Sequence, residues 1–279
     1  MFGVGETLLL VIAVIFAVVV GFKIVSATKR RALLHGTFTE EQIAILDKRF
    51  PRYSSLPDEI KAKLQGYANL LMHDKYFEAC GDLREVTDEM KLVISVQAAL
   101  LLVGLKKHHF YSRLKSILVY PGAFRDQGRR QFGIHDEERG TVLGESWETG
   151  SVILSWESVV AGARNSDDGM NVTIHEFAHQ LDQADGAADG VPLLGNRDTY
   201  RQWSEVFQRD YEELVEEVNR RRGPEPFLDP YGATNPAEFF AVASETFFEE
   251  PQDLMEEHRE LYDQLKSYYG LDPVSWPDP

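Results

Sequence analysis

The chain has 279 residues, 43% of them apolar and 27% charged, enough to bury one substantial core or two modest ones, and this excludes a disordered chain. Its 45 acidic against 29 basic residues leave a formal net charge of −16, which repels phosphate backbones and argues against nucleic acid as a direct ligand. A single cysteine, Cys80, excludes an internal disulfide and a thiolate metal site, fits a reducing compartment and is read without a nucleophilic role.

Residues 1–38 read as a membrane anchor with a basic flank. No charge interrupts 7–22, a run that as a helix reaches about 24 Å into a hydrocarbon core of roughly 30 Å. With Lys23 snorkelling, 24–27 extend it to about 31 Å, enough to span. Glu6 before the run and Lys29-Arg30-Arg31 after it reverse the charge order of a cleaved signal peptide, so the segment is expected to be retained. The positive-inside rule holds the basic flank in the cytoplasm. The expected location is therefore the inner (cytoplasmic) membrane, single-pass, with residues 39–279 forming a folded domain on the cytoplasmic side.

Within that domain 39–165 reads as a helical support with strands. Thr39-Glu40-Glu41-Gln42 has the spacing of a helix start, and Ile43, Leu46 and Phe50 follow at helical intervals to a stop near Pro51. Two further helices are predicted over 55–74, striped by Ile60, Leu64, Tyr67 and Leu71, and over 87–107, apolar almost all round and hence central. Lys106-Lys107-His108-His109 closes the latter. Its adjacent histidines face different ways, so they are read as a C-terminal charge complement rather than a second metal site. A strand is predicted over 117–120, an irregular loop over 124–140, and a hairpin from 141–146 and 151–156 about Glu148-Thr149-Gly150. Such a strand is either core structure or an edge that holds an extended peptide by main-chain hydrogen bonds.

Residues 166–279 read as the metal-binding half. The stretch I-H-E-F-A-H-Q-L-D-Q-A-D-G (174–186) sets His175 and His179 four residues apart, one above the other on a helix face, so both imidazoles reach one ion. This is a zinc-site spelling. Glu176 is turned too far round to be the obvious third ligand, but is well placed to take a proton from a water activated by Zn²⁺. Asn171 before the run and Gly186 after it supply a start and a stop. Asp182 returns to the face of the histidines, either to orient an imidazole or simply as an exposed helix acid.

A catalytic zinc needs a third protein ligand and an open position. Glu238 is the best candidate, with Asn235 capping its helix and Pro236 in the first turn, although its place three residues past the cap also suits a capping box. Glu245, seven residues on, is a rival ligand or a support behind one. His258 is a third option, among Glu256-Glu257 and Arg259-Glu260 that look like a solvated helix surface. Tyr231 before Gly232 reads as a turn residue. Helices over 200–222 and 251–269, with Trp203, Phe207, Leu214, Leu254, Leu261 and Leu265 on their apolar faces, close the domain.

His175-Glu176-Phe177-Ala178-His179-Gln180-Leu181-Asp182, followed by Tyr231-Gly232-Ala233-Thr234-Asn235-Pro236-Ala237-Glu238-Phe239-Phe240-Ala241, resembles the Mlc titration factor A family of zinc-dependent peptidases, related to the catalytic domain of anthrax lethal factor. The resemblance runs over about 40–270 and includes Leu154-Ser155-Trp156-Glu157-Ser158-Val159 and Ala161-Gly162-Ala163-Arg164; the toxin resemblance covers the two motifs alone. It implies that His175, His179 and Glu238 bind zinc, that Glu176 is the general base and that Tyr231 assists at the scissile carbonyl. The implied fold is α+β, a mostly helical zincin-like domain with a small β-sheet. Two functions from different classes follow. One is metal-assisted hydrolysis of a peptide or protein substrate; the other is a zinc-scaffolded binding protein that sequesters a transcriptional repressor and so influences sugar uptake. The apolar 7–27 departs from the soluble relatives of that family.

Overall fold

The computed structural model describes residues 4–106, 110–122, 150–220 and 223–277, the side chains of residues 4 and 6–11 excepted. Helix α1 (Val4–Leu34) runs on through the basic cluster, about 46 Å at 1.5 Å per residue. Residues 12–34 are long and apolar enough to cross a membrane, and none of their apolar window is buried. The far end of α1 is docked on α4 (Asp58–Asp74): Arg30 pairs with Asp74, and Gly66 gives way to the carbonyl of Leu34 where any β-carbon would clash.

Thr39 caps α2 (Glu40–Arg49) with the expected reciprocal pair, its hydroxyl accepting from the Gln42 amide at 3.2 Å and Gln42 Oε1 accepting from the Thr39 amide at 2.9 Å. The short α3 (Arg52–Ser55) follows, and α4 begins at Asp58, later than periodicity suggested, because Pro57 sets the extended residue before it. Helix α5 (Asp88–Leu100) is central, as its all-round apolarity implied, with every residue from Leu92 to Leu100 buried. It ends seven residues before the predicted 107. The chain turns there so that Gly104 can lie against the carbonyls of Tyr269 and Gly270, an approach that no side chain would permit.

The sheet holds three parallel strands in the order β1 (Tyr76–Ala79), β2 (Ser116–Tyr120), β3 (Ser151–Ser155), in register Tyr76–Ser116–Ser151. Strand β1 was not foreseen, since four residues with Glu78 among them and largely open faces give no alternation to read. Strand β3 pairs with β2 rather than forming the second arm of a hairpin among the described residues. The other predicted arm (141–146), the loop at 124–140 and His108-His109 lie outside the described residues. Ile117, Val119, Val152 and Leu154 turn inward, and β3 passes directly into α6 (Trp156–Arg164).

Helix α6 packs on the start of α7 (Val172–Asp182), where Gly162 admits the backbone of Met170 and Asn171. The predicted 200–222 helix is α8 (Arg197–Asn219), started earlier by the Asn196 side chain, which accepts from the amides of Asp198 and Thr199. Its face carries Trp203 and Phe207, stacked at 3.9 Å, against Phe239 and Phe240 of α9 (Pro236–Glu249). Helix α9 is buried from Ala237 to Glu249 and lies along α7. The predicted 251–269 helix is two, α10 (Pro251–Glu257) and α11 (Arg259–Tyr269), broken at His258. Glu256, Glu257, Arg259 and Glu260 are exposed as expected, but His258 between them is half-buried, its ring stacked on Phe227 and paired with the buried Asp210.

Candidate metal centre

Three buried carboxylates, Glu238, Glu245 and Glu249, lie along α9, at spacings of seven and four that return each to the side facing α7. Burying a carboxylate costs several kcal/mol unless it is paired, so the partners of these acids define the site. Asn235 caps the helix by accepting from the Glu238 amide at 3.0 Å. Glu238 stands at the capping-box position, yet its carboxylate is turned to the imidazoles: Oε2 lies 2.9 Å from His175 Nε2 and 3.2 Å from His179 Nε2. The two Nε2 atoms are 3.2 Å apart, so the three side chains present one ligand atom each around a common point.

Glu245 does not join them. Its Oε1 sits 2.6 Å from Nδ1 of His175, on the other edge of the ring, and its Oε2 accepts the Asn171 amide at 2.5 Å. Nδ1 therefore donates to the carboxylate, so Nε2, facing His179 and Glu238, is the nitrogen left to a cation once its own proton is displaced. Asn171 in turn caps α7, accepting from the amides of Thr173 and Ile174, and donates to Gln97 Oε1 at 2.9 Å and Glu249 Oε1 at 3.0 Å. A polar chain thus ties α5, α7 and α9 together behind the histidines.

The electrostatics follow from this packing. Burial alone would depress the His175 pKa, but the carboxylates of Glu245 and Glu238 outweigh it and raise it to about 10. Glu238 is pushed up by burial and pulled further down by hydrogen bonds from both histidines, ending well below the usual carboxylate range. Burial raises Glu245 despite its contact with His175, and holds Glu249 well above the ordinary value. Glu238 is therefore charged and hydrogen-bonded to His175, whose Nε2 proton a cation would displace on binding. Two ring nitrogens and one carboxylate oxygen converging in a buried pocket are the donor set of a cation with two nitrogen ligands and one oxygen ligand.

Glu176 is 2% exposed, and its Oε2 is buried with no hydrogen-bond partner among the described residues. An unanswered buried carboxylate oxygen costs roughly 1–3 kcal/mol, which suits a group kept for water or substrate. Asp182 is fully buried rather than exposed. Its Oδ2 accepts the Gly190 amide at 3.1 Å, burial raises its pKa to about 6, and the nearby His179 pulls against that rise. Tyr231 lies in a tight 3-10 turn (Pro230–Ala233) held by Asp229, which accepts its amide at 2.8 Å; its ring centre is 5.9 Å from that of His175. Gly232 brings this turn against Leu214 and Val242. Gly186, at φ +106°, ends the short 3-10 turn after α7.

Sequence reasoning passed over Gln97, Glu249 and Asp229. Gln97 and Glu249 lie 74 and 78 residues from Asn171, which they meet, and belong to no short motif. Asp229 is two residues from Tyr231 but reads as an ordinary turn acid. Glu249 left a trace, as a third acid on a stretch otherwise largely apolar. Cys80 takes no part in this site; its thiol is raised by burial and lies 3.8 Å from the Glu78 carbonyl.

The profile of a family described as glucose-regulated metallo-peptidase M90 matches residues 25–270. An uncharacterized protein of Synechocystis sp. is 44% identical over 234 residues, covering 83% of this chain and 84% of its own. A protein of Pectobacterium atrosepticum named Mlc titration factor A is 32% identical over 230 residues, covering 81% and 84%. Its namesake in Serratia proteamaculans is 34% identical over 164 residues, covering 57% and 61%.

Proposed function

Since the chain belongs to the glucose-regulated metallo-peptidase M90 family, we propose that it is a zinc-dependent peptidase with His175, His179 and Glu238 as ligands and Glu176 as general base. The observation that carries this reading is the convergence of the two Nε2 atoms and a Glu238 oxygen, with Glu245 holding the far edge of the His175 ring at Nδ1. His175, His179 and Glu238 would hold the zinc ion, which when bound would supply Lewis acidity to a water and to the scissile carbonyl. Glu176 would take a proton from the water as its oxygen bonds to the carbonyl carbon, and would hand that proton to the amine nitrogen as the C–N bond breaks. The Tyr231 hydroxyl donates to the developing oxyanion. Glu245 fixes the tautomer and angle of His175, and Asp182 steadies the end of α7 beside His179. A peptide lies along β3, the last of the described strands, which packs against α7.

The anchor reading completes the proposal: residues 1–38 form a single-pass helix and basic flank, and 39–279 form the peptidase domain in the cytoplasm, with 39–165 as support and 166–279 as metal-binding half. The exposed apolar residues Val14, Ile15, Phe16, Phe22 and Ile24 support it. Glu176→Gln is expected to keep its zinc and lose about 10²–10⁴-fold in turnover of a peptide library. Undiminished cleavage at equal metal content refutes the general-base role.

The name Mlc titration factor A, carried by relatives, favours a second reading. In it the zinc domain is a scaffold that sequesters a transcriptional repressor, and hydrolysis is marginal. A Glu176→Gln protein that still captures the repressor and preserves its effect on sugar uptake supports sequestration; loss of that effect with capture intact supports proteolysis.

A further inference from the structure

A cavity of about 410 Å³ opens beside the C-terminal half of α7, where Gln180, Leu181 and Ala184 line it against Tyr111, Trp203 and Tyr268. Gln180 follows Glu176 by four residues and so lies on its side of the helix. From His179 the lining residues of α7 are displaced by roughly 2–8 Å along the axis. An extended peptide advances about 3.3–3.6 Å per residue, so by axial distance a residue one to three positions from the scissile bond is level with this cavity, with Gln180 on the side of α7 nearest Glu176.

Its charge is opposite to that of the rest of the chain. Two cations, Lys106 and Arg113, line it, and among the described residues no aspartate or glutamate does, in a chain with 45 acids. Two other cavities are lined by acids: Asp168, Glu225, Asp229 and Glu250 in one, and Asp167, Glu249, Glu250 and Asp253 beside Arg52 in the other. Arg113 and Lys106 are exposed and form no ion pair among the described residues, which leaves both free to meet an anion. The guanidinium of Arg113 passes over the turn that closes α7: a β-carbon on Gly186 would stand 3.2 Å from its Nη1. The carbonyl end of α7 accounts for one cation there, not for a second and the exclusion of every acid.

We propose that this cavity receives a carboxylate of the peptide substrate, paired with Arg113 and Lys106 while the apolar walls hold its carbon stem. The carboxylate is an Asp or Glu side chain or the free C-terminus of a short peptide, the same chemistry from two sources. The inference rests on the peptidase reading for its substrate, but its binding half needs no turnover.

The test uses the full-length, zinc-loaded protein and one cleaved peptide varied at each of three positions on either side of the cut as Glu, Gln or Lys, with its end as acid or amide. At one position the wild type should favour Glu over Gln by about tenfold or more in kcat/KM, or acid over amide if the terminus is the guest. The pair R113A/K106A should bring that ratio to about one, and R113E/K106E should invert it toward Lys. In parallel, fluorescence anisotropy of labelled Glu, Gln and amide peptides on the Glu176→Gln protein reads binding alone. If no peptide is cut but the Glu or acid form binds about tenfold tighter in an Arg113-dependent way, the cavity stands and the peptidase reading falls. Equal affinities for all forms, or a preference that survives R113E/K106E in a protein with native circular dichroism and metal content, overturns the proposal.

Discussion

Among the described residues, two groups of histidine and carboxylate are compact enough to hold a cation: His175, His179 and Glu238, and Asp210, Glu213 and His258. They differ in how their charges are already answered. In the second, His258 donates to Asp210 at 3.1 Å, Arg209 takes the other Asp210 oxygen at 2.9 Å, and Glu213 is exposed. Its charges balance without an ion. In the first, no lysine or arginine pairs with Glu238 among the described residues, Glu245 takes Nδ1 of His175, and both Nε2 atoms converge with the Glu238 oxygen. Residue type and spacing nominate both groups; what separates them is whether a fixed cation of the chain already answers the carboxylate.

That contrast can be broken most directly at His179. His179→Ala should leave less than about a tenth of an equivalent of metal by elemental analysis and reduce cleavage to background, since two ligands do not retain zinc against buffer. A full equivalent retained by this variant would move the ion elsewhere, and Asp210 and His258 would be the first place to look. Next in size is Glu245→Gln, which keeps the shape but weakens the hold on Nδ1. Zinc affinity, read by chelator competition, should fall about 10–100-fold. An unchanged affinity would mean that Glu245 merely fills space.

The smallest effect belongs to the second group. His258→Ala should leave metal content untouched and cost about 1.5–3 kcal/mol of stability near pH 6, the scale of a hydrogen bond between charged groups. Its hydrogen bond to Asp210, more than burial opposes, raises the pKa of His258. The contribution is therefore whole below the unfolded value of about 6.5 and is lost as pH rises through the raised folded value. The Tm gap between wild type and variant should accordingly narrow above neutrality. A gap that widens with pH would mean that the pair is not ionic.

The same contrast explains what could be read in advance. Contacts that stay within one helix were legible: His175 and His179 on a face, the Thr39 capping box, Asn235 ahead of Pro236, Gly186 as a stop. Contacts between helices were not. Glu238 and Glu245 are seven residues apart on one helix, and periodicity gives them equal claims on the ion; only the depth at which α9 crosses α7 sends one to Nε2 and the other to Nδ1. His258 looked solvated because its sequence neighbours are charged, while the buried acid it meets is 48 residues away. Strand pairing failed for a similar reason, since Ser151–Ser155 carries no mark of which neighbour it joins, and β1 has too few residues to show a period.

Helix α9 carries both Glu238 and the grip on His175 two turns later, so one proposed ligand and the tautomer of another are mechanically one part. A shift of that helix by a fraction of an ångström would alter the reach of a carboxylate at one end and the hold on an imidazole at the other in the same motion. Tuning the metal without disturbing the imidazole, by evolution or by an engineer, would first require uncoupling them, with a substitution at Asn171 or Gln97 as the available slack.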